Sequence, residues 1–376
     1  MKILHLITTL DVGGAEMHLL AQVRGQAQRG HEVRVAYLKG HGTLASDFTA
    51  AGASSVERAS GAALLTRLVS RMREADIVHT HLLKADMLGA VLATLAGRRR
   101  GLVASKHNDE QVLRRPLVSL VHGAVGRLPR ATIPLSDHVA RFVAEYGRVP
   151  LARQRRIYYG LDPAPFERAA AMPAAERNAL RKSLGIAEDE IVFTCVARFA
   201  PQKAHDVLLR GFDQASRERP GLRLLLVGDD PFGDGRRRAE ALARELAHGG
   251  RAIFAGIRRD VPPLLAASDV FVMASLWEGL GLVFLEAMAC GLAVLATRVS
   301  AVPEVVLDRE TGVLVPPADA AALARAMVEL ADAPDERRRL GRAGAERVRK
   351  IFGLERMVEE TLAVYREVQR SSVPGR

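Results

Sequence analysis

Cysteine is scarce in this 376-residue chain: Cys195 and Cys290 are the only two, far apart and each in an apolar run. Two such residues supply neither a disulfide framework nor a zinc site, and a reducing, cytoplasmic setting fits them. Aromatic residues are few as well, 5% with one tryptophan. That scarcity argues against a base-stacking surface and so against nucleic acid as a partner. No apolar run reaches membrane-spanning length. The opening MKILHLITTL has too short an apolar core for a secretion signal and reads as a first buried strand.

What is present is ordinary in bulk and uneven in detail. Hydrophobic residues make up 48% and charged ones 26%, the balance of a globular protein, and the length calls for two domains. Of the net charge of +11, residues 1–170 carry nearly all, with 24 Lys+Arg against 14 Asp+Glu; the remainder has 30 against 29. The N-terminal half therefore attracts anions. By charge alone nucleic acid, anionic lipid or a phosphate-bearing substrate would serve.

KILHLITTL, HEVRVAYL, ADIVHTHL and GLVASKH are short β-branched runs separated by helical spacing, the pattern of a parallel sheet with crossover helices. A second series repeats it: EIVFTCVARF, LRLLLVGDD, RAIFAGI, DVFVMAS, LAVLAT and GVLVPP. The Pro- and Ala-rich DPAPFERAAAMPAAER between them predicts a boundary near residue 170, giving domains 1–170 and 171–353. A last helix, about 354–370, spaces Leu354, Met357, Val358, Leu362, Tyr365 and Val368 on one face, so it docks, with the N-terminal domain as one place for it. Such α/β domains bind ligands at the carboxyl ends of their strands, here expected to face each other across a cleft.

Four stretches follow strands. In LDVGGAE, Gly13 and Gly14 open a helix whose amides suit a diphosphate, though two glycines also serve a plain tight turn. SKHND brings His107, by itself as readily a structural histidine as a functional one. In VARFAPQKAHD, Arg198 and Lys203 put two cations where a departing nucleoside diphosphate builds charge, or form a solvated surface pair. WEGLGLVFLEAMACG sets Glu278 and Glu286 eight residues apart. Gly279 and Gly281 keep the turn open, and a helix from about Leu282 to Cys290 ends at Gly291, burying Val283, Phe284, Ala287 and Met288. Both carboxylates then suit sugar hydroxyls. Paired carboxylates also hydrolyse glycosidic bonds, but that rival explains neither the twin sheets nor the cations.

EGLGLVFLEAMACG resembles the E-x7-E signature of the retaining glycosyltransferases of family 4. TTLDVGGAEMHLLAQVRGQAQRGHEVRV, RRIYYGLDPAPF, VARFAPQKAHDVLL and AVPEVVLDRETGVLVPPAD resemble that family's other segments, so the likeness covers nearly the whole chain. It implies the α/β GT-B fold of two facing Rossmann-like domains and transfer of a sugar from a nucleotide-sugar donor, with retained anomeric configuration and no metal or other cofactor. It assigns Arg198 and Lys203 to the donor diphosphate, Glu278 to the sugar hydroxyls with amides at Gly281, Leu282 and Val283, and Glu286 to the ribose. His107 would approach the sugar from the other domain, with Gly13 and Gly14 beside the diphosphate. Two positions depart from the family: Ala204 replaces a glycine, and GDDPFGDG replaces a shorter turn near the base pocket. A non-catalytic nucleotide-sugar-binding protein and an epimerase on the same fold are the alternatives.

The acceptor is expected to be a glycan or a lipid-linked sugar in cell-surface polysaccharide or glycolipid synthesis. RRPLVSLVHGAVGRLPR spaces Leu117, Val118, Leu120, Val121, Ala124, Val125 and Leu128 on one face, with Arg114, Arg115, Arg127 and Arg130 at its ends. It reads equally as a helix resting on an anionic membrane, at the inner face of the cell membrane, or as one packed on the sheet.

Overall fold

The computed structural model describes residues 1–59, 61–230 and 233–370. They form two units: Met1–Gly160 with the chain from Phe352 onward, and Leu161–Ile351. In the first unit β1 (Lys2–Ile7), β2 (Glu32–Tyr37), β3 (Ala53–Arg58), β4 (Ile77–His81), β5 (Leu102–Lys106) and β6 (Ala131–Pro134) make a parallel sheet in the order β3-β2-β1-β4-β5-β6. In the second, β7 (Ile191–Val196), β8 (Leu222–Val227), β9 (Ala252–Gly256), β10 (Val270–Met273), β11 (Ala293–Thr297) and β12 (Gly312–Val315) run β12-β11-β10-β7-β8-β9. Counted within each unit, the order is the same: the first strand lies beside the fourth. That junction is the topological switch point, where loops diverge to opposite faces and leave room for a ligand.

Both faces of each sheet are covered, so the central strands are buried along nearly their whole length: β10 (VFVM) is wholly apolar, while β4 (IVHTH) buries three polar residues. Along β1, Ile3 and Ile7 pack with Leu19, Val23 and Tyr365, while Leu4 and Leu6 pack with Met72, Val78 and Ala93 on the other face. The strand pattern predicts four strands in this unit, and the sheet has six. The two it misses, β3 (ASSVER) and β6 (ATIP), are the edges of the sheet. β3 is partly exposed and carries polar residues, and β6, though buried, is only four residues long and ends in proline, so neither sequence carries much strand signal.

The helices around the site are α1 (Gly14–Gln28), α2 (Pro116–Val125), α3 (Ala164–Ala170), α4 (His205–Glu218), α5 (Leu282–Ala289) and α6 (Leu354–Arg370). The unit boundary falls at Gly160 and Leu161, ten residues before the expected one. The reason is α3: its Phe166 is buried, and the carbonyl of Phe166 lies 3.6 Å from Cys290 Sγ within the second unit. At the other end α6 belongs to the first unit and packs along α1. There a Cβ on Gly25 would come within 2.5 Å of Val358 Cγ2, so the two helices approach closely only because position 25 is glycine. Among the described residues no helix is long and apolar enough to cross a membrane.

Candidate active site

In the second unit the loops after β7 and β10, neighbours at the switch point, are tied together. The amide of Leu276 donates to the carbonyl of Gln202 at 2.8 Å, and Gln202 Nε2 donates to the carbonyl of Trp277 at 2.6 Å. Between these ties Lys203 Nζ donates to Glu278 Oε1, an ion pair with side chains 12% and 6% exposed. Ser275 Oγ donates to the same carboxylate oxygen at 2.8 Å, and the carbonyl of Ser275 accepts from Thr297 Oγ1 at 2.5 Å. Thus Lys203, expected at a diphosphate, and Glu278, expected at a sugar, are held against each other. Arg198 stands exposed on the same β7 loop with no ion pair among the described residues.

Ala204 links this loop to α4 in a left-handed conformation (φ 46°, ψ 51°). This is the position where the family resemblance calls for glycine, and a Cβ there costs about 1 kcal/mol or more. In the GDDPFGDG segment Asp230 caps the following helix, its carboxylate accepting from the amides of Gly233, Gly235 and Arg236 at 3.1–3.2 Å. Pro231 and Phe232 lie outside the described residues.

The glutamate stretch folds into α5, which runs from Leu282 to Ala289 and ends in Gly291 at φ 74°. Gly281 precedes it at φ 82°, where a Cβ would also meet the Phe284 ring at 2.5 Å. The amides of Leu282 and Val283 are therefore first-turn donors without a backbone partner in the helix. Phe284, Leu285, Ala287 and Met288 are buried; Val283 is half-buried, so Leu285 takes the core place expected of it. Glu286 is half-buried, its carboxylate makes no hydrogen bond among the described residues, and burial pushes that carboxyl up to about 7.

In the first unit Gly13 and Gly14 lead from β1 into α1. Gly13 is extended, and a Cβ on it would lie 2.5 Å from Glu16 Oε2; Gly14 has open space around it. Glu16 is held in turn by Thr9 Oγ1 at 2.5 Å. His107, at the end of β5, is 7% exposed and has both ring nitrogens engaged: Nε2 with His81 Nδ1 at 3.0 Å, Nδ1 with Tyr159 OH at 2.8 Å. Burial and the neighbouring Lys106 charge push it down to about 3, so it is neutral. The sequence reading misses Ser275, Gln202, His81 and Tyr159. Its available signal is the alternation in IVHTH, which puts His79 and His81 on one face of β4.

The same unit carries a helix turned inside out. On α2 the polar and small Ser119, His122 and Gly123 face inward, while Leu117 (73% exposed), Leu120 (57%) and Val121 (49%) face out. The inner face is polar because it is bonded. His122 Nδ1 donates to the Gly147 carbonyl at 2.6 Å, Lys106 Nζ donates to His122 Nε2 at 3.1 Å, and Ser119 Oγ accepts from Arg148 Nε at 3.0 Å. The helix stops at Val125, so Leu128 is not part of the apolar face.

His5, His79 and His81 bring one nitrogen each within 4.8 Å of one another, the spacing of a metal-ligand set. In this structure their nitrogens contact Gln26, Ser105, Tyr365, His107 and each other.

Comparison with known proteins accounts for both halves. The family described as Glycosyltransferase Family 4 matches residues 12–165, and that described as Glycosyl transferases group 1 matches residues 176–347. The D-inositol 3-phosphate glycosyltransferase of Streptomyces avermitilis is 32% identical over 77% of this chain, which spans 65% of that relative's length. The GDP-mannose-dependent alpha-(1-6)-phosphatidylinositol monomannoside mannosyltransferase of Mycolicibacterium smegmatis is 30% identical over 88% of this chain and 89% of its own. The crystal structure of Anabaena HepE in complex with UDP superposes with a TM-score of 0.87 at 22% identity, covering 98% of this chain and 100% of that one. With both halves matched and a relative aligned over nearly its whole length, the chain belongs to glycosyltransferase family 4 and has its GT-B fold of two α/β units.

Proposed function

We propose that this family 4 glycosyltransferase moves a sugar from a nucleotide-sugar donor to a hydroxyl of a glycan or lipid-linked acceptor, retaining the anomeric configuration and using no metal. The observation that carries the reading is the Lys203–Glu278 contact across the two switch-point loops of the second unit, beside the exposed Arg198. Cation and carboxylate at one place match a ligand that is a diphosphate at one end and a polyol at the other.

In this reading the bond from the anomeric carbon to the diphosphate oxygen breaks as the acceptor oxygen bonds to that carbon on the same face. The acceptor proton passes to the departing phosphate. Arg198 and Lys203 meet charge that is larger in the transition state than in the bound donor, the kind of interaction that raises turnover. Lys203 has three N–H donors and spends one on Glu278, so it can hold a phosphate oxygen as well. Glu278 and the amides at Gly281, Leu282 and Val283 take the sugar, and Glu286 takes the ribose; His107, Gly13 and Gly14 keep the donor-side roles that the resemblance assigns. Arg198→Ala or Lys203→Ala should each slow nucleoside diphosphate release about 100-fold, by analogy with loss of an oxyanion donor. A panel of nucleotide-sugars assayed for that release, with and without acceptor, tests the reading. Tight binding with no release from any donor would favour a sensor instead.

In the same reading the acceptor lies at an anionic membrane, in glycolipid or cell-surface polysaccharide synthesis. Support comes from α2, whose Leu117, Leu120 and Val121 face solvent in the basic half of the chain, and from a relative whose name specifies a phosphatidylinositol monomannoside. Sedimentation with phosphatidylglycerol vesicles at low and high salt tests it. Binding should weaken with salt and with Leu120→Asp; no binding at either salt refutes it.

A further inference from the structure

An unbroken hydrogen-bond chain surrounds His107, and the transfer reading does not use it. It runs from Tyr159 OH through His107, His81, His5, Gln26, Tyr365 and His79 to Ser105, with successive contacts of 2.8, 3.0, 3.0, 2.9, 3.3, 2.6 and 2.8 Å. The sheet builds it: His5 lies opposite His79, and His81 opposite Ser105, in register on β1, β4 and β5. The helices α1 and α6 close it with Gln26 and Tyr365, and Gln26, His5, His79 and His81 are all sealed from solvent. Burial holds these histidines neutral, so each ring has one N–H and one bare nitrogen.

That leaves little freedom for the protons. Gln26 Oε1 faces His5 Nε2 and can only accept, so His5 carries its proton on Nε2. His5 Nδ1 is then bare and accepts from His81 Nε2–H; His81 Nδ1 accepts from His107 Nε2–H; His107 Nδ1 accepts from the Tyr159 hydroxyl. The other arm agrees, with Gln26 Nε2 donating to Tyr365 OH, Tyr365 to His79 Nδ1, and His79 Nε2 to Ser105. Turning the amide over would reverse every bond. A primary amide does not relay a proton under these conditions, so the chain orients rather than conducts.

We propose that Gln26 is a positioning residue for the transfer reaction: through His5 and His81 it fixes the His107 proton on Nε2 and leaves Nδ1 as an acceptor. His107 then meets a sugar hydroxyl by accepting its hydrogen bond, in the place Tyr159 fills here, and does not serve as a donor or acid. This second half rests on the reading that His107 faces the donor; the proton assignment does not.

The test is 15N–1H NMR of the full chain labelled at histidine, which distinguishes protonated from bare ring nitrogens. In the wild type, His5, His81 and His107 should all be protonated at Nε2. In Gln26→Leu the bias is gone, and His107 should show both tautomers. Gln26→Glu still accepts from His5 Nε2–H and should restore the single one. Gln26→Leu should also lower kcat/KM for the donor about fivefold, the loss of one neutral hydrogen bond. A wild-type His107 protonated at Nδ1, or one unchanged in folded Gln26→Leu, overturns the assignment. Mixed tautomers with unchanged kcat/KM overturn the role in transfer. A chain that shows the tautomers but releases no nucleoside diphosphate from any donor refutes the transfer reading and leaves the proton assignment standing.

Discussion

Removing the Lys203 ammonium isolates a carboxylate that the fold has nearly sealed. Glu278 is 4% exposed, and in Lys203→Ala its carboxylate keeps the Ser275 hydroxyl as a hydrogen-bond donor at 2.8 Å. Deleting one partner of a buried pair costs about 3–5 kcal/mol because the other charge is stranded. The 12% exposure of the Lys203 side chain admits some water, so the lower end, about 3 kcal/mol, is expected. The chain's single tryptophan, Trp277, adjoins Glu278, so its fluorescence during urea unfolding reads the second unit. With a urea slope of about 2.5 kcal/mol/M for a domain of this size, the midpoint should fall by about 1 M. Adding Glu278→Gln removes the stranded charge, and the double variant should recover at least half of that loss while turnover stays low. The reasoning fails if Lys203→Ala unfolds at the wild-type urea concentration, or if the double variant is no more stable than the single one.

Acid should loosen the first unit. Its buried histidines titrate below the ordinary value of 6.5, His5 at about 4 and His107 at about 3, so between those values the unfolded chain binds more protons than the folded one. Stability is then complete above about pH 6.5 and lost as pH falls toward 4, by at least about 3 kcal/mol from pH 7 to 5; pH-independent unfolding over that range would contradict the burial. Ala204→Gly relieves a left-handed alanine and should raise stability by up to about 1 kcal/mol in the same urea assay, and a loss would show that the Cβ packs usefully. In the proposed ribose-binding role Glu286, with its carboxyl near 7, would accept hydroxyls best when ionised. The donor KM should therefore fall as pH rises from 6 to 8, and Glu286→Gln should flatten that dependence.

The central strands, both sheets and the α5 turn are legible in the sequence because their signals are local. The apolar run of β1, the glycine at 281 and the stop at 291 each state their geometry within a few residues. The outer strands are less legible: ASSVER is polar and partly exposed, and ATIP is only four residues long and ends in proline. Partnerships across loops are hidden too. Nothing in VARFAPQKAHD says that Lys203 meets a glutamate 75 residues on, and nothing in IVHTH says that its histidines pair with β1, β5 and α6. On α2 the 3.6-residue pattern groups Leu117, Leu120 and Val121 but gives neither the end of the helix before Leu128 nor the direction of the face, which is set by the bonds of His122 and Ser119 to residues far along the chain.

Nucleoside diphosphate release tests the transfer account most directly when measured with the preferred donor and acceptor in the presence of a metal chelator, beside Arg198→Ala. The account predicts undiminished release by the wild type, about 100-fold slower release by the variant, and a product that keeps the donor's anomeric configuration by NMR. Release that stops with the chelator, or that survives loss of Arg198 unchanged, would contradict it.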